Sequence, residues 1–118
     1  MQLPIKKILV LGGGFEQLPL IQMLKKENFF IILIDKNKNA VGKTLSNKFY
    51  NISITKHEEI IKICKKNKIF AATSICSDLA VVPLSKISGY FKVPGIPLSS
   101  AIICTNKIIM KRHFVKNK

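Results

Sequence analysis

The sequence is poor in acidic residues, has a single arginine, Arg112, and has no tryptophan. Only 6 acidic residues stand against 20 basic ones, so the formal net charge is +14. A charge of this size is typical of proteins with an anionic partner such as nucleic acid. However, the cations are spread along the sequence from Lys6 to Lys118, and almost none can make the fork-shaped contacts of arginine. We therefore expect no nucleic-acid partner, and attribute much of the lysine excess to AT-rich coding.

Cysteine pairs and long apolar runs are also missing. The three cysteines, Cys64, Cys76 and Cys104, form no CxxC pair and leave an odd count, which argues against a disulfide scaffold or a zinc site. The longest strongly apolar run, residues 29–34, is too short to cross a bilayer, and no signal peptide is predicted before the first strand. We expect a cytoplasmic protein without a membrane partner.

The sequence does have a strand followed by a glycine turn near its beginning. In residues 5–19, IKKILVLGGGFEQLP, an aliphatic run at 8–11 ends in three glycines and gives way to helical spacing. A short apolar run bounded by glycine indicates a strand buried on both faces. This arrangement is typical of the start of a Rossmann-like sheet.

The remaining pattern continues the alternation of strands and helices. Further strands are predicted at 29–34, 49–54 and 69–75, with helices between them and after the last. The fold class is therefore predicted as α/β, a Rossmann-like three-layer sandwich with a four-stranded parallel sheet in order 3-2-1-4.

Several local signals refine these boundaries. Pro19 is expected in the first turn of its helix, where its missing N–H costs nothing. Thr55 and Glu58 have the spacing of a capping box for the second helix. Ser77 or Asp78 can cap the third helix, and Pro83 is predicted either to kink that helix or to mark its true start. Residues 36–47 are predicted to be a loop.

The glycines allow an alternative function. Gly12 and Gly14, with Asp35 at the end of the second strand, match part of a dinucleotide-binding fingerprint, in which the acid binds a ribose. Gln17 stands where the fingerprint has its third glycine, so we predict no tight binding of NAD or NADP. A stand-alone nucleotide-binding or dinucleotide-binding module without catalysis stays open as the alternative.

Three carboxylates, those of Glu16, Asp35 and Asp78, follow parallel strands and are predicted to surround a cleft at the carboxyl edge of the sheet. Asp78 has a competing interpretation as a helix cap, and Glu16 as a favourable charge at a helix N-terminus. Cys76 is expected to be a buried, inert thiol near the cleft. No nucleophile–base pair and no metal cluster is predicted.

Four segments in order resemble the N-terminal region of ATP-grasp ligases, in particular the carbamoyl-phosphate-synthase-like and phosphoribosylglycinamide-synthetase-like group. They are GGGFEQLPLIQMLKK, FFIILIDKNKNAVG, SDLAVVPLSKISGYFKVPG and CTNKIIMKRHF. The resemblance implies a pre-ATP-grasp domain that helps to bind a carboxylate or amine substrate. It also implies that ATP and Mg²⁺ serve the complete enzyme, which activates a carboxylate as an acyl phosphate and passes it to an amine.

Site residues follow from this resemblance. Lys107, in the segment Thr105-Asn106-Lys107, is implied as a contact to the nucleotide phosphates. Gly14, Glu16 and Gln17 are implied on the substrate side, and Asp78 joins them from its place at the predicted cleft. No catalytic or metal-binding residue is implied within these residues.

The resemblance also divides the chain. Residues 1–98 are predicted as the Rossmann-like domain and 99–118 as a helical connector to an ATP-grasp domain that the sequence does not contain. We expect the chain alone to be inactive, to bind no cofactor tightly, and to need that domain in cis or as a second chain. A homodimer, or a dimerising α/β unit without a ligand, remains an open alternative.

Overall fold

The computed structural model describes residues 4–94. Four strands form one sheet: β1 (Lys7–Leu11), β2 (Phe30–Ile34), β3 (Lys48–Tyr50) and β4 (Ala71–Thr73). Three helices connect or follow them: α1 (Leu18–Lys26), α2 (His57–Asn67) and α3 (Asp78–Phe91). All strand pairs are parallel and the order is β3-β2-β1-β4, which confirms the predicted fold. The predicted connector at 99–118 lies outside the described residues.

The sheet is covered on both faces, so the molecule has three layers. On one face, Val10 and Leu33 pack with Ile21 and Leu24 of α1. On the other face, a second cluster joins the sheet to α2 and α3, and it comprises Leu9, Leu11, Ile32, Ile34, Ile60, Cys64, Ala72, Ala80 and Ile87 among others. Because β1 and β2 lie in the middle of the sheet, both of their faces need apolar side chains, which explains their unbroken aliphatic runs.

The two outer strands are shorter than predicted. Beyond Tyr50 the chain turns, and the Asn51 side chain donates hydrogen bonds to the backbone oxygens of Asp35 and Lys36. Beyond Thr73, the Ser74 hydroxyl donates to the Leu11 carbonyl at 2.6 Å, where a strand would use a backbone N–H. Side chains that bond the backbone in this way compete with the strand ladder.

The start of α2 differs from the prediction. The predicted capping box is wrong, because Lys56 occupies the N-cap of α2 and the Thr55 hydroxyl instead bonds the Ser53 hydroxyl at 2.8 Å. Ser77 holds the N-cap position of α3 without a side-chain bond, and Pro83 lies inside that helix and does not mark its start. Pro19 does lie in the first turn of α1, as predicted.

The predicted loop at 36–47 contains one ordered element. A 3₁₀ turn at Val41–Leu45 packs against α1 and β2. None of the helices in residues 4–94 is both long and apolar enough to span a membrane.

The two described cysteines differ in exposure. Cys64 is fully buried between α2 and the sheet, and this burial raises the pKa of its thiol to about 12. The expectation that Cys76 is buried is wrong, because it is exposed three residues past β4 in a loop where its φ is +55°.

We predict that iodoacetamide at pH 8 alkylates Cys76 readily and leaves Cys64 unmodified in the folded chain. Alkylation requires the thiolate and access to it, and Cys64 has neither. Peptide mass mapping of a Cys104→Ser variant, with and without urea, measures both rates. Equal alkylation rates for the two thiols without urea would show that α2 does not shield Cys64 from the reagent.

Candidate functional site at the carboxyl edge of the sheet

The glycine loop after β1 uses its backbone N–H groups within the protein. Gly12 starts the turn with φ at +96°, a conformation that favours glycine. The three N–H groups have internal acceptors: Gly12 donates to the Ile34 carbonyl at 2.8 Å, Gly13 to Asp35 Oδ2 at 2.8 Å, and Gly14 to Gln17 Oε1 at 2.9 Å. A loop that cradles a phosphate needs such groups free and pointing at the ligand. The N–H groups of this loop are therefore bonded within the protein and are not free for a phosphate.

Close packing fixes the same loop against the turn at 41–45. The Gly42 N–H donates to the Gly13 carbonyl at 2.8 Å. A Cβ atom on Gly13 would lie 2.6 Å from Leu33 Cδ2, and one on Gly42 would lie 2.6 Å from Ile21 Cδ1 and 3.0 Å from the Gly13 carbonyl oxygen. Two of the glycines are thus required by contact with neighbouring residues.

Gln17 joins the two loops that border the cleft. It ends a 3₁₀ turn at Phe15–Gln17 and is only 8% exposed. Its Oε1 accepts from the Gly14 N–H, and its Nε2 donates to the Ile75 carbonyl at 3.1 Å, 58 residues away. The amide therefore connects the loop after β1 to the loop after β4. Where a dinucleotide fingerprint has a small residue for close packing, this chain has a hydrogen-bonded bridge.

Asp35 has a comparable role on the other side of the glycine loop. Its Oδ2 accepts from the Gly13 N–H and its Oδ1 from the Asn37 N–H, both at 2.8 Å. Each carboxylate oxygen thus already holds one backbone group in the half-buried position after β2. This geometry weighs against the interpretation of Asp35 as a ribose ligand.

We predict that Asp35→Ala lowers the free energy of unfolding by about 1–3 kcal/mol, because the Gly13 N–H loses its acceptor. Hydrogen exchange of the Gly13 amide should accelerate in the same variant, and calorimetry should detect no NAD binding by either protein. If the unsubstituted chain bound NAD with micromolar affinity and the variant did not, the dinucleotide-binding alternative would be restored.

A cleft of about 220 Å³ opens beside these groups. Its lining includes Gly12, Gln17, Asp35, Lys36, Ser77 and Leu79. A second cavity of about 340 Å³ adjoins it, shares Ser77, and is lined by Asp78 and other residues of the loop after β4 and of α3. The carboxyl edge thus offers a recess with both polar and apolar groups in its lining, between the loops that follow the strands, as expected for an open α/β sheet.

The predicted substrate-side residues differ in their position relative to this recess. Gln17 lines the first cleft but is buried and bonded, and Gly14 donates its N–H to Gln17. Asp78 is exposed at the start of α3 and lines the second cavity. Glu16 is exposed in the 3₁₀ turn and lines neither cavity, while Lys107 lies outside the described residues.

Sequence reasoning missed four hydroxyl side chains that also line the recess. Ser53 and Thr55 line the first cleft, Ser74 lines the second cavity, and Ser77 lines both. Ser53 and Thr55 follow the end of β3, but the strand was predicted to extend to residue 54, which concealed their position at the edge. The signal that could have located them is Asn51, since a polar amide at a predicted strand position often ends the strand.

Solved structures that share this fold include ATP-grasp ligases, aligned over their N-terminal region. Phosphoribosylglycinamide synthetase from Anaerococcus prevotii is 26% identical with a TM-score of 0.85, and the alignment covers 96% of this chain and 29% of that one. N5-carboxyaminoimidazole ribonucleotide synthetase from Thermotoga maritima is 24% identical with a TM-score of 0.69, over 96% of this chain and 31% of that one. N5-carboxyaminoimidazole synthetase from Staphylococcus aureus, complexed with ADP, is 12% identical with a TM-score of 0.77, over 97% and 31%.

The chain is thus an N-terminal domain of the type found in ATP-grasp ligases, and it spans about 30% of the length of these structures. It belongs to the PylC-like N-terminal domain family, whose model matches residues 8–99. No curated protein sequence matches it.

Proposed function

We propose that this chain is the substrate-side domain of an ATP-dependent ligase that joins a carboxylate to an amine or a related nucleophile. The family match supports this proposal, and the observation that carries it is the recess at the carboxyl edge. Its walls are the loops after β1, β2, β3 and β4, and two of them are tied together by Gln17. A recess with fixed walls can hold a small substrate in one orientation, which is what a ligation step needs.

ATP and Mg²⁺ belong, in this proposal, to an ATP-grasp domain present in cis or as a second chain. The glycine loop does not fit a phosphate site of its own, since its N–H groups already have acceptors. Within residues 4–94 no group of three or more His, Cys, Asp or Glu side chains is placed to hold a metal ion. When bound, ATP supplies the phosphoryl group that activates the carboxylate. Lys107 is the residue of this chain proposed to approach the phosphates.

The 118-residue chain alone is expected to hydrolyse no ATP above background. The expectation rests on the same two observations, the occupied N–H groups and the scattered acidic side chains. Phosphate release by the purified chain, compared with a preparation from cells lacking it, measures this. Hydrolysis that co-purifies with the chain would contradict the proposal that ATP and Mg²⁺ are bound by the ATP-grasp domain.

Kinetics of the ligase assembled with its ATP-grasp domain test the site assignment. Lys107→Ala should raise KM for ATP and leave KM for the carboxylate and amine substrates within about twofold, because it removes a cation beside the phosphates. Asp78→Ala and Glu16→Ala should raise KM for the carboxylate or amine substrate and leave KM for ATP within about twofold. If Lys107→Ala altered only the melting temperature, or if all three variants changed the same KM, the assignment would be wrong.

A further inference from the structure

Lysines are concentrated at the amino edge of the sheet, opposite the recess. The strands begin at this edge and the helices end there, because each helix returns the chain to the start of the next strand. The amino-edge lysines are Lys6, Lys7, Lys25, Lys26, Lys48, Lys65, Lys66, Lys68 and Lys92. Among the acidic residues, only Glu27 lies at this end of the fold, while Glu16, Asp35, Glu58, Glu59 and Asp78 follow strand ends or begin helices at the other edge. A charge that is dispersed in the sequence is therefore segregated in the fold.

Local structure explains only part of this concentration. Lys25, Lys26, Lys65 and Lys66 occupy the last turns of α1 and α2, where a cation stabilises the helix dipole. The same reason does not apply to Lys6 and Lys7 at the start of β1. Lys48 at the start of β3 has a different local role, because its Nζ donates to Asn67 Oδ1 at 3.1 Å.

The amino-edge lysines also have no carboxylate partner within residues 4–94. The salt bridge present within the described residues joins Lys56 to Glu59 at the carboxyl edge, at 3.9 Å. At the amino edge, Lys6 Nζ lies 4.4 Å from the centre of the Phe70 ring, and Lys7 Nζ lies 5.3 Å from that of Phe30. These cations are thus held in place over aromatic rings with their charge unneutralised.

A groove lined by both apolar and polar side chains lies among these charges. It has a volume of about 420 Å³ and is lined by Ile5, Lys25, Phe29, Phe30, Leu45 and Asn47 among others. Ile5 in this lining is 72% exposed, and Phe70, just before the start of the neighbouring strand β4, is 47% exposed. Large apolar side chains exposed together in a charged setting are typical of interaction surfaces.

We propose that the amino edge binds an acidic segment of another protein, whose carboxylates face the lysines and whose apolar side chains enter the groove. The unneutralised lysines require an anionic partner. The groove requires that this partner also has aliphatic or aromatic side chains. A single-stranded nucleic acid fits less well. The described cations at this edge are all lysines, which cannot make the fork-shaped phosphate contacts of arginine. Binding at this edge leaves the carboxyl-edge recess open.

Fluorescence anisotropy with the full 118-residue chain at 150 mM NaCl tests the proposal. The probe is a labelled (Glu-Glu-Leu)4 peptide, compared with (Glu-Glu-Ser)4 and with a 12-nucleotide oligo-dT. We expect the leucine peptide to bind at least about fivefold more tightly than either comparator, since only it can fill the groove. Replacing Lys6, Lys25, Lys65 and Lys68 with Gln should weaken its binding by about tenfold or more, whereas a matched variant with Lys38, Lys56, Lys62 and Lys86 replaced by Gln should lose less than about threefold.

The two variants carry the same net charge, so equal losses would show that overall charge alone attracts the peptide and would overturn the proposal. Tighter binding of oligo-dT would overturn it in favour of a nucleic-acid surface. Failure of the leucine peptide to bind the unsubstituted chain would also contradict it. Circular dichroism melting of both variants confirms that any loss is measured on folded protein. The outcome is independent of the proposed ligase function, because no substrate or nucleotide takes part.

Discussion

Gln17→Leu is expected to lower the free energy of unfolding by about 2–4 kcal/mol, because it leaves two backbone groups without their partners. Leucine fills nearly the same space but can neither accept from the Gly14 N–H nor donate to the Ile75 carbonyl. The Gln17 side chain is 8% exposed and both bonds are partly buried, so water replaces the lost bonds incompletely. Urea unfolding followed by circular dichroism measures the change.

Gln22→Leu provides the matched control, since Gln22 is the same residue type on the exposed face of α1. It should change stability by no more than about 0.5 kcal/mol. Gln17→Glu should fall between the two, since it keeps an acceptor for Gly14 and loses the donor to Ile75. Equal, small effects of Gln17→Leu and Gln22→Leu would mean that the bridge between the loops does not exist in solution.

Gly42→Ala is expected to destabilise the chain by about 2–3 kcal/mol, through overpacking. Its Cβ would lie 2.6 Å from Ile21 Cδ1, which is fully buried, and 3.0 Å from the Gly13 carbonyl oxygen, which the glycine loop cannot move without losing a hydrogen bond. Thermal unfolding should show a lower Tm, and amide exchange at Gly13 and Gly14 should accelerate because the strain reaches the loop.

Gly89→Ala is the control for glycine replacement. Gly89 lies in α3, and a Cβ there would meet nothing within 4 Å. Alanine is favoured over glycine inside a helix by about 0.5–1 kcal/mol, so this variant should be more stable than the original chain. A Gly42→Ala variant as stable as Gly89→Ala would show that the glycine loop and the turn at 41–45 are not packed as described.

The central part of the fold could be predicted because its signals are local and strong. β1 and β2 are unbroken aliphatic runs between polar or glycine positions, and parallel pairing in order 3-2-1-4 follows from strands that alternate with helices. The ends of β3 and β4 could not, because Asn51 and Ser74 bond to backbone atoms of residues distant in the sequence. The capping box failed for a local reason, since the Thr55 hydroxyl bonds the Ser53 hydroxyl two residues earlier.

The candidate site was predicted in outline and not in its contacts. Asp35 and Gln17 were singled out by their spacing from the glycines, but spacing could not reveal that both hold the glycine loop through its N–H groups. That arrangement depends on Ile75 and on Gly42, which no pattern near residues 12–17 indicates. The segregation of lysines to the amino edge likewise appears only once the helices and strands are placed side by side.

A ligand titration of the ¹⁵N-labelled chain, followed by NMR, tests most directly whether the carboxyl edge is a substrate recess and not a phosphate cradle. Amino acids and small carboxylic acids serve as substrate-type ligands, and NAD serves as the competing ligand. We predict that one or more of the substrate-type ligands shifts the amide signals of Glu16, Ser77 and Asp78, and that NAD leaves those of Gly12, Gly13 and Gly14 unchanged. Saturable, micromolar NAD binding with shifts centred on the three glycines, and no response to the substrate-type ligands, would contradict the account.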